Sequence, residues 1–104
     1  MTKDEENELI DTLYSGWLTT GPKTSRFEQQ FAEYVRASYA IGVSSGTAAL
    51  HLSLLALGIG KGSQVITTPM TFVATVNSIL YTGAHPVLAD VEADTLNIDP
   101  EQIK

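Results

Sequence analysis

The chain has 104 residues, 43% of them apolar, which is enough to bury the core of one small domain and too few for two. A net charge of −6 argues against a nucleic-acid partner held by phosphate contacts, although backbone N–H groups bind phosphorylated small molecules without net positive charge. The absence of cysteine excludes disulfides and thiolate metal sites.

The start, MTKDEENELI, is acidic and has no basic segment ahead of an apolar block, so no signal peptide is visible. Gly, Pro, Ser or Thr interrupts every apolar run before the roughly 18 residues of a membrane span. A soluble, cytoplasmic protein without a membrane partner is the expectation. Thr2 with Glu5 spells a capping box, and Leu9, Ile10, Leu13 and Tyr14 supply an apolar stripe, so a helix is predicted to about Ser15, stopped by Gly16. GWLTTGP (residues 16–22) reads as a loop with an exposed Trp17. Ser25 with Glu28 spells a second box, and Phe27, Phe31, Tyr34 and Val35 fall at i, i+4, i+7 and i+8.

The pattern then changes. YAIGVS (39–44) reads as a buried strand, and GTAALHLSLLAL (46–57) as a helix with Gly58 as its C′ residue. QVITT (64–68) is a second strand ended by Pro69. TFVATVNSILYT (71–82) is a buried helix stopped by Gly83, and PVLAD (86–90) is a third strand. Short loops between alternating elements predict an α/β fold, β-α-β-α-β, with parallel strands and right-handed crossovers after two leading helices. Asp99, Pro100 and Gln102 carry every start signal of a helix that has about one turn to run, so the chain is expected to be the front piece of a longer protein. From Ala37 to Ala89 the only formal charge is Lys61. Such a tract is either a sheet covered on both faces by its own helices or a surface covered by further protein.

Three places carry candidate chemistry. In a parallel sheet, ligands gather at the carboxyl ends of strands, where helices begin. At Val43–Leu50 a helix N-terminus offers unpaired N–H groups, Gly46 permits close approach, Ser44, Ser45 and Thr47 bring hydroxyls, and Ala48 keeps the approach open. This is either an anion cradle or an ordinary Ser/Thr cap. GIGKG (58–62) follows a helix rather than opening one, and Lys61 is followed by Gly62, so neither a dinucleotide nor a P-loop motif is present. Phe72, in TPMTFVAT (68–75), opens the next helix at the same edge, as a stacking platform or as core. His51 and His85 have no partner at metal-ligand spacing, and Asp90, at the carboxyl edge, reads as a cap of the turn with Asp94 and Thr95, with a place in a site as the alternative. No Ser/His/Asp set can be argued from spacing, and no metal site is expected.

GWLTTGP, VSSGTAALHLSLLALGIGKGSQVITTPMTFVATVNSILYTGAHPVLADVEADTLNIDPE and their order resemble the start of the DegT/DnrJ/EryC1/StrS aminotransferases. These are pyridoxal 5'-phosphate (PLP) enzymes of fold type I, the aspartate-aminotransferase fold, most of which act on nucleotide-linked keto-sugars. The resemblance runs from about Gly16 to Gln102. It implies that Gly46, Thr47 and Ala48 bind the cofactor phosphate, that Phe72 stacks on its pyridine ring, and that Thr19, Thr20 and Gly21 lie on the substrate side. It implies a helical segment with an active-site loop over residues 1–38 and the start of the cofactor-binding large domain over 39–104. It further implies a nucleotide-sugar substrate, glutamate as amino donor and a homodimer. The family's Schiff-base Lys and its pyridinium-pairing Asp fall further along the chain; Lys3, Lys23, Lys61 and Lys104 match no such motif, so no catalytic residue is expected here. A stand-alone, non-catalytic module binding a phosphorylated ligand or a protein partner is the alternative.

Overall fold

In the computed structural model, residues 2–103 are described; Lys104, one of the lysines without a motif, lies outside them. The chain divides into two units, one up to Gly42 and the other from Val43 on.

In the first unit, α1 (Lys3–Ser15) starts as its capping box dictates. The Asp4 N–H donates to Thr2 Oγ1 at 3.3 Å, and the Thr2 N–H donates to the Glu5 carboxylate. Gly16, at φ 72°, ends the helix in the left-handed region that favours glycine. The second helix, α2 (Pro22–Val35), begins four residues earlier than a cap at Ser25 would place it. Pro22 presets the backbone at the first helical position, Gly21 becomes the N-cap, and Ser25 falls inside the first turn with its N–H on the Gly21 carbonyl at 3.1 Å. Glu28 therefore closes no capping box. Its carboxylate accepts from the Gly42 N–H at 2.7 Å and holds the following segment against α2.

Charges, not apolar packing, tie α1 to α2. Lys23 Nζ lies 2.6 Å from Glu8 and 2.9 Å from Asp11, donates to the Glu8 carbonyl at 2.7 Å, and is joined by Arg26 at 3.2 Å from Glu8. Leu9, Leu13, Phe27 and Phe31 stay exposed, and Ala32 is the one buried side chain among the described residues of this unit.

The strand expected at residues 39–44 does not form. A strand exists through its ladder, and no described segment pairs with this one; Tyr39 is accordingly 87% exposed rather than buried. The helix after it, α3 (Gly46–Ala56), ends as expected. Gly58, at φ 73°, donates to the Leu55 carbonyl at 2.9 Å and Ile59 to that of Leu54 at 3.0 Å, the two bonds of a Schellman motif. Next come β1 (Gln64–Thr67), α4 (Ala74–Tyr81) and β2 (His85–Leu88). The strands pair in parallel, from Gln64 opposite His85 to Thr67 opposite Leu88. The unit thus holds one β-α-β step, with two of the three expected strands.

α4 starts three residues later than expected, because Pro69 begins a turn that the Thr71 N–H closes on its carbonyl at 3.1 Å. After β2, Val91 bridges Ile98 in antiparallel fashion, with Leu96 at φ 57° in the turn between. Asp90 caps the Val91 N–H at 2.8 Å, while Thr95 bonds Glu92 at 2.7 Å, so the cap expected to join Asp90, Asp94 and Thr95 is divided. Asp99 caps a single 3-10 turn, Pro100–Gln102, through the Glu101 N–H.

The core of this unit is thin and made of small residues: Ala74, Ser78, Ile79, Ala84 and Ala89. The Ser78 hydroxyl donates to the Thr75 carbonyl at 2.8 Å, so its burial leaves no polar atom unpaired. No side chain of α3 is fully buried, and Leu50, Leu52, Leu55 and Leu57 are exposed. The described residues therefore do not cover the uncharged tract, and the surface it presents is apolar.

Two outcomes follow from this packing. At tens of micromolar the 104-residue polypeptide is expected to self-associate by light scattering, and a monodisperse monomer would contradict the exposed surface described. The second outcome concerns pH. Hydrogen bonding and charge from Lys23, with Arg26 adding at Glu8, hold the Glu8 and Asp11 carboxyls below their ordinary range, and Glu8 and Asp11 hold Lys23 above its own. Depressed carboxyls stabilise the fold above their unfolded values near ~4, and that contribution is lost as pH falls through the folded values. A raised lysine stabilises below its unfolded value near ~10 and loses its effect as pH rises through the folded one. In an NMR titration the Glu8 and Asp11 carboxyl carbons should turn over at lower pH than in short peptides. Lys23→Ala should move both upward; midpoints that stay put would show that the pairs do not form.

Candidate functional site

The parallel pair gives the second unit two distinct edges. The C-terminal ends of α3 and α4 meet at the amino edge. There a Cβ on Gly60 would lie 3.5 Å from the Thr82 carbonyl, and one on Gly83 would lie 3.7 Å from the Lys61 backbone nitrogen. The turn after β1, the end of β2 and the N-termini of both helices belong to the carboxyl edge. Lys61 is thus at the opposite edge from the start of α3.

At that start, Ser45 is extended and acts as N-cap. Its Oγ accepts from the Ala48 N–H at 3.1 Å and its carbonyl from the Ala49 N–H at 3.0 Å. The N–H groups of Gly46 and Thr47 have no acceptor among the described residues. They point out of the positive end of an 11-residue helix. Gly46 does not lie in the left-handed region, and a Cβ built on it would meet nothing within 4 Å. Neither backbone conformation nor packing within the described residues requires glycine here. Its effect is to leave two donors open to close approach. The resemblance implies that Ala48 shares in holding the phosphate, whereas here its N–H is already taken by Ser45 Oγ. An anion taking the Ala48 N–H would release the Ser45 hydroxyl, which is itself a donor.

The turn after β1 is braced at both ends. Thr68 Oγ1 accepts from the Met70 N–H at 3.1 Å, and the Thr71 and Thr75 hydroxyls share a bond of 2.9 Å. Phe72 stands in this turn, two residues ahead of α4, rather than opening the helix. Phe72 is 78% exposed, so it is not core of the described residues. An exposed aromatic beside a helix N-terminus can receive a flat ring on its face.

His51 meets the Tyr81 ring edge-on at 5.6 Å, a contact between α3 and α4, and His85 is the exposed first residue of β2. Among the described residues no group of three potential ligands could hold a metal ion. No described helix is long and apolar enough to cross a membrane.

Thr19, Thr20 and Gly21 lie in the first unit, and Gly46, Thr47, Ala48 and Phe72 in the second. The Thr19 and Thr20 side chains are exposed, and their hydroxyls bond no described residue. Beside this loop is an open cavity of about 550 Å³ whose wall includes Trp17, Thr19, Gly21 and Lys23. The feature that sequence reading missed is the indole: Trp17 Nε1 donates to the Thr20 carbonyl at 2.9 Å. The signal was present, because an indole N–H among small polar residues seeks an acceptor.

The model of the DegT/DnrJ/EryC1/StrS aminotransferase family matches residues 1–104. Spore coat polysaccharide biosynthesis protein SpsC of Bacillus subtilis is 53% identical over 102 residues, covering 98% of this chain and 26% of that protein. The putative sugar aminotransferase Spr1654 from Streptococcus pneumoniae, solved in apo, PLP and PMP forms, has a TM-score of 0.93 at 41% identity over 99% of this chain and 26% of its own. DesV of S. venezuelae has a TM-score of 0.91 at 36% identity, over 97% of this chain and 27% of its own. The chain spans about a quarter of the length of these relatives. With its α/β fold and parallel strands shared by these fold type I enzymes, and with the match running over its whole length, the chain belongs to the DegT/DnrJ/EryC1/StrS aminotransferase family.

Proposed function

We propose that these residues form the N-terminal portion of a PLP-dependent aminotransferase acting on nucleotide-linked keto-sugars, and that they hold the cofactor by its phosphate and one face of its ring. The observation that carries this reading is the pair of open N–H groups at Gly46 and Thr47, on a turn whose glycine nothing else among the described residues requires. A phosphate dianion suits that end of α3 through hydrogen bonds and the helix dipole together. Thr47 adds a hydroxyl, and Ala48 becomes a donor once Ser45 yields it. Phe72 offers its exposed face to the pyridine ring. When bound, PLP supplies an electron sink for breaking and making bonds at an amine-bearing carbon.

The work of this portion is binding and orientation. The lysine that anchors the cofactor and the aspartate against its ring nitrogen lie beyond residue 104 in this reading, and Lys61, at the amino edge, takes neither role. Residues 39–104 are the start of the cofactor-binding domain, following a helical segment over 1–38 whose Thr19, Thr20 and Gly21 face the substrate. The donor is glutamate, and the enzyme is a cytoplasmic homodimer. The polysaccharide-biosynthesis name of SpsC and the sugar aminotransferase Spr1654 support a sugar substrate.

Variants of the full-length protein test the reading. Gly46→Val should weaken PLP binding about ten- to hundredfold, the loss expected when hydrogen bonds to a charged group go. The thermal midpoint of the cofactor-free protein should stay in place. Ser45→Ala should lower that midpoint through loss of the cap, by ~1 kcal/mol of stability; PLP should restore it by supplying the acceptor for the Ala48 N–H. PLP binding untouched by Gly46→Val would sink the phosphate assignment. Amino transfer from glutamate to a nucleotide-linked keto-sugar, followed by mass spectrometry, tests the reaction, and binding without transfer would favour a non-catalytic module.

A further inference from the structure

The loop between α1 and α2 is held by an internal clamp. Gly16, at φ 72°, turns the chain out of α1, and the Trp17 N–H donates back to Ser15 Oγ at 3.1 Å. Ser15 Oγ in turn donates to the Thr12 carbonyl at 2.7 Å, so the base of the loop is fixed to the last turn of α1. From that base the indole reaches across the loop, and its Nε1–H donates to the Thr20 carbonyl at 2.9 Å. The ring then lies on Gly21, where a Cβ would come within 2.4 Å of Nε1 and 2.5 Å of Cδ1.

The reason for glycine at position 21 can be isolated. Its φ is −164°, extended backbone that any residue adopts, so the left-handed region is not the cause. It is the N-cap of α2, where serine or aspartate would serve the helix at least as well. What excludes a side chain is the indole. Trp17 and Gly21 are therefore two halves of one contact, and Thr19 and Thr20 are the residues it brackets.

We propose that Trp17 is a positioning residue: its indole, locked on the Thr20 carbonyl and seated on Gly21, sets the loop conformation that presents Thr19 and Thr20 to the substrate. The inference rests on the reading of this loop as substrate-side. It assigns Trp17 no contact with the reacting atoms and no part in holding the cofactor. Lys23 and Arg26, next to the loop, are already engaged by Glu8 and Asp11, so the bracketed segment offers neutral groups, hydroxyls and backbone, for recognition.

The test uses the full-length enzyme with three readouts: amide hydrogen exchange over residues 17–21, the kcat and KM of amino transfer, and PLP affinity. Trp17→Phe removes the donor and keeps an aromatic ring; Gly21→Ser adds a side chain while supplying a good cap. Each should speed exchange in the loop and raise the KM for the nucleotide-sugar about fivefold, the loss expected for one hydrogen bond. The kcat should stay within about twofold and PLP affinity should not change. In a Trp17→Ala background, Gly21→Ser should add nothing, because the atoms it strikes are gone.

Unchanged exchange in both single variants would overturn the clamp. Faster exchange with an unchanged KM would overturn the positioning role, as would a fall in PLP affinity that matches the rise in KM. If Gly21→Ser costs as much in the Trp17→Ala background as it does beside the native indole, glycine is needed for another reason. If the unaltered enzyme turns over no nucleotide-linked keto-sugar, the functional reading fails and takes the positioning role with it. The exchange and double-variant measurements would still decide the clamp.

Discussion

The second unit is organised by a parallel ladder four residues long. Parallel strands cannot be joined by a tight turn, so the chain must leave β1 at one edge, cross as α4 and re-enter β2 at the other. That requirement separates two edges of different chemistry. Helix C-termini, with Gly60 and Gly83 in close approach and Lys61 beside them, fall at the amino edge. Helix N-termini, Phe72 and Asp90 fall at the carboxyl edge. The ladder is extended by one bond at each end, His85 to Ser63 at 2.9 Å and Ala89 to Thr67 at 2.8 Å, which pins both edges beyond the named strands.

On that frame, the start of α3 leaves backbone donors open without strain. Ser45 satisfies one orphan donor of the helix, its own carbonyl accepts the first intrahelical bond, and two donors remain. Gly46 is exposed and Thr47 half-buried, so leaving them open costs the fold less than an orphan buried in a core. The first unit takes a different approach. Its loop carries one demanding contact, the indole on Gly21, and its helices are joined by ion pairs at the surface.

How much could be read in advance depended on whether the deciding interaction was local. The Thr2–Glu5 box, Gly16, Gly58 and the Gly46 helix were legible because each rests on residues within one or two turns of each other. The Ser25–Glu28 box was equally well spelled and did not form, because Pro22 offered an earlier start and Glu28 had a more distant partner in Gly42. Residues 39–44 have strand composition, but composition supplies no ladder partner. The delayed start of α4 reflects a turn at Pro69, and the bridge of Val91 with Ile98 needs a residue, Leu96, in a backbone region its type gives no hint of. In the site, the helix N-terminus and a Ser/Thr cap were both legible, and what spacing left open was which hydroxyl does the capping; Ser45 does, through the Ala48 N–H. The exposure of Phe72 belongs to the same class, because core and platform look alike in a sequence.

The bare flank of α3 also bears on how such a polypeptide comes into being. A ribosome delivers the amino end first, so Leu50, Leu52, Leu55 and Leu57 emerge before any later segment exists. With a core of alanines, one serine and one isoleucine, this unit has little of its own with which to hide them. For as long as these leucines stay bare, the nascent chain is sticky. Its safe passage is a matter of translation speed and chaperone access rather than of the finished fold.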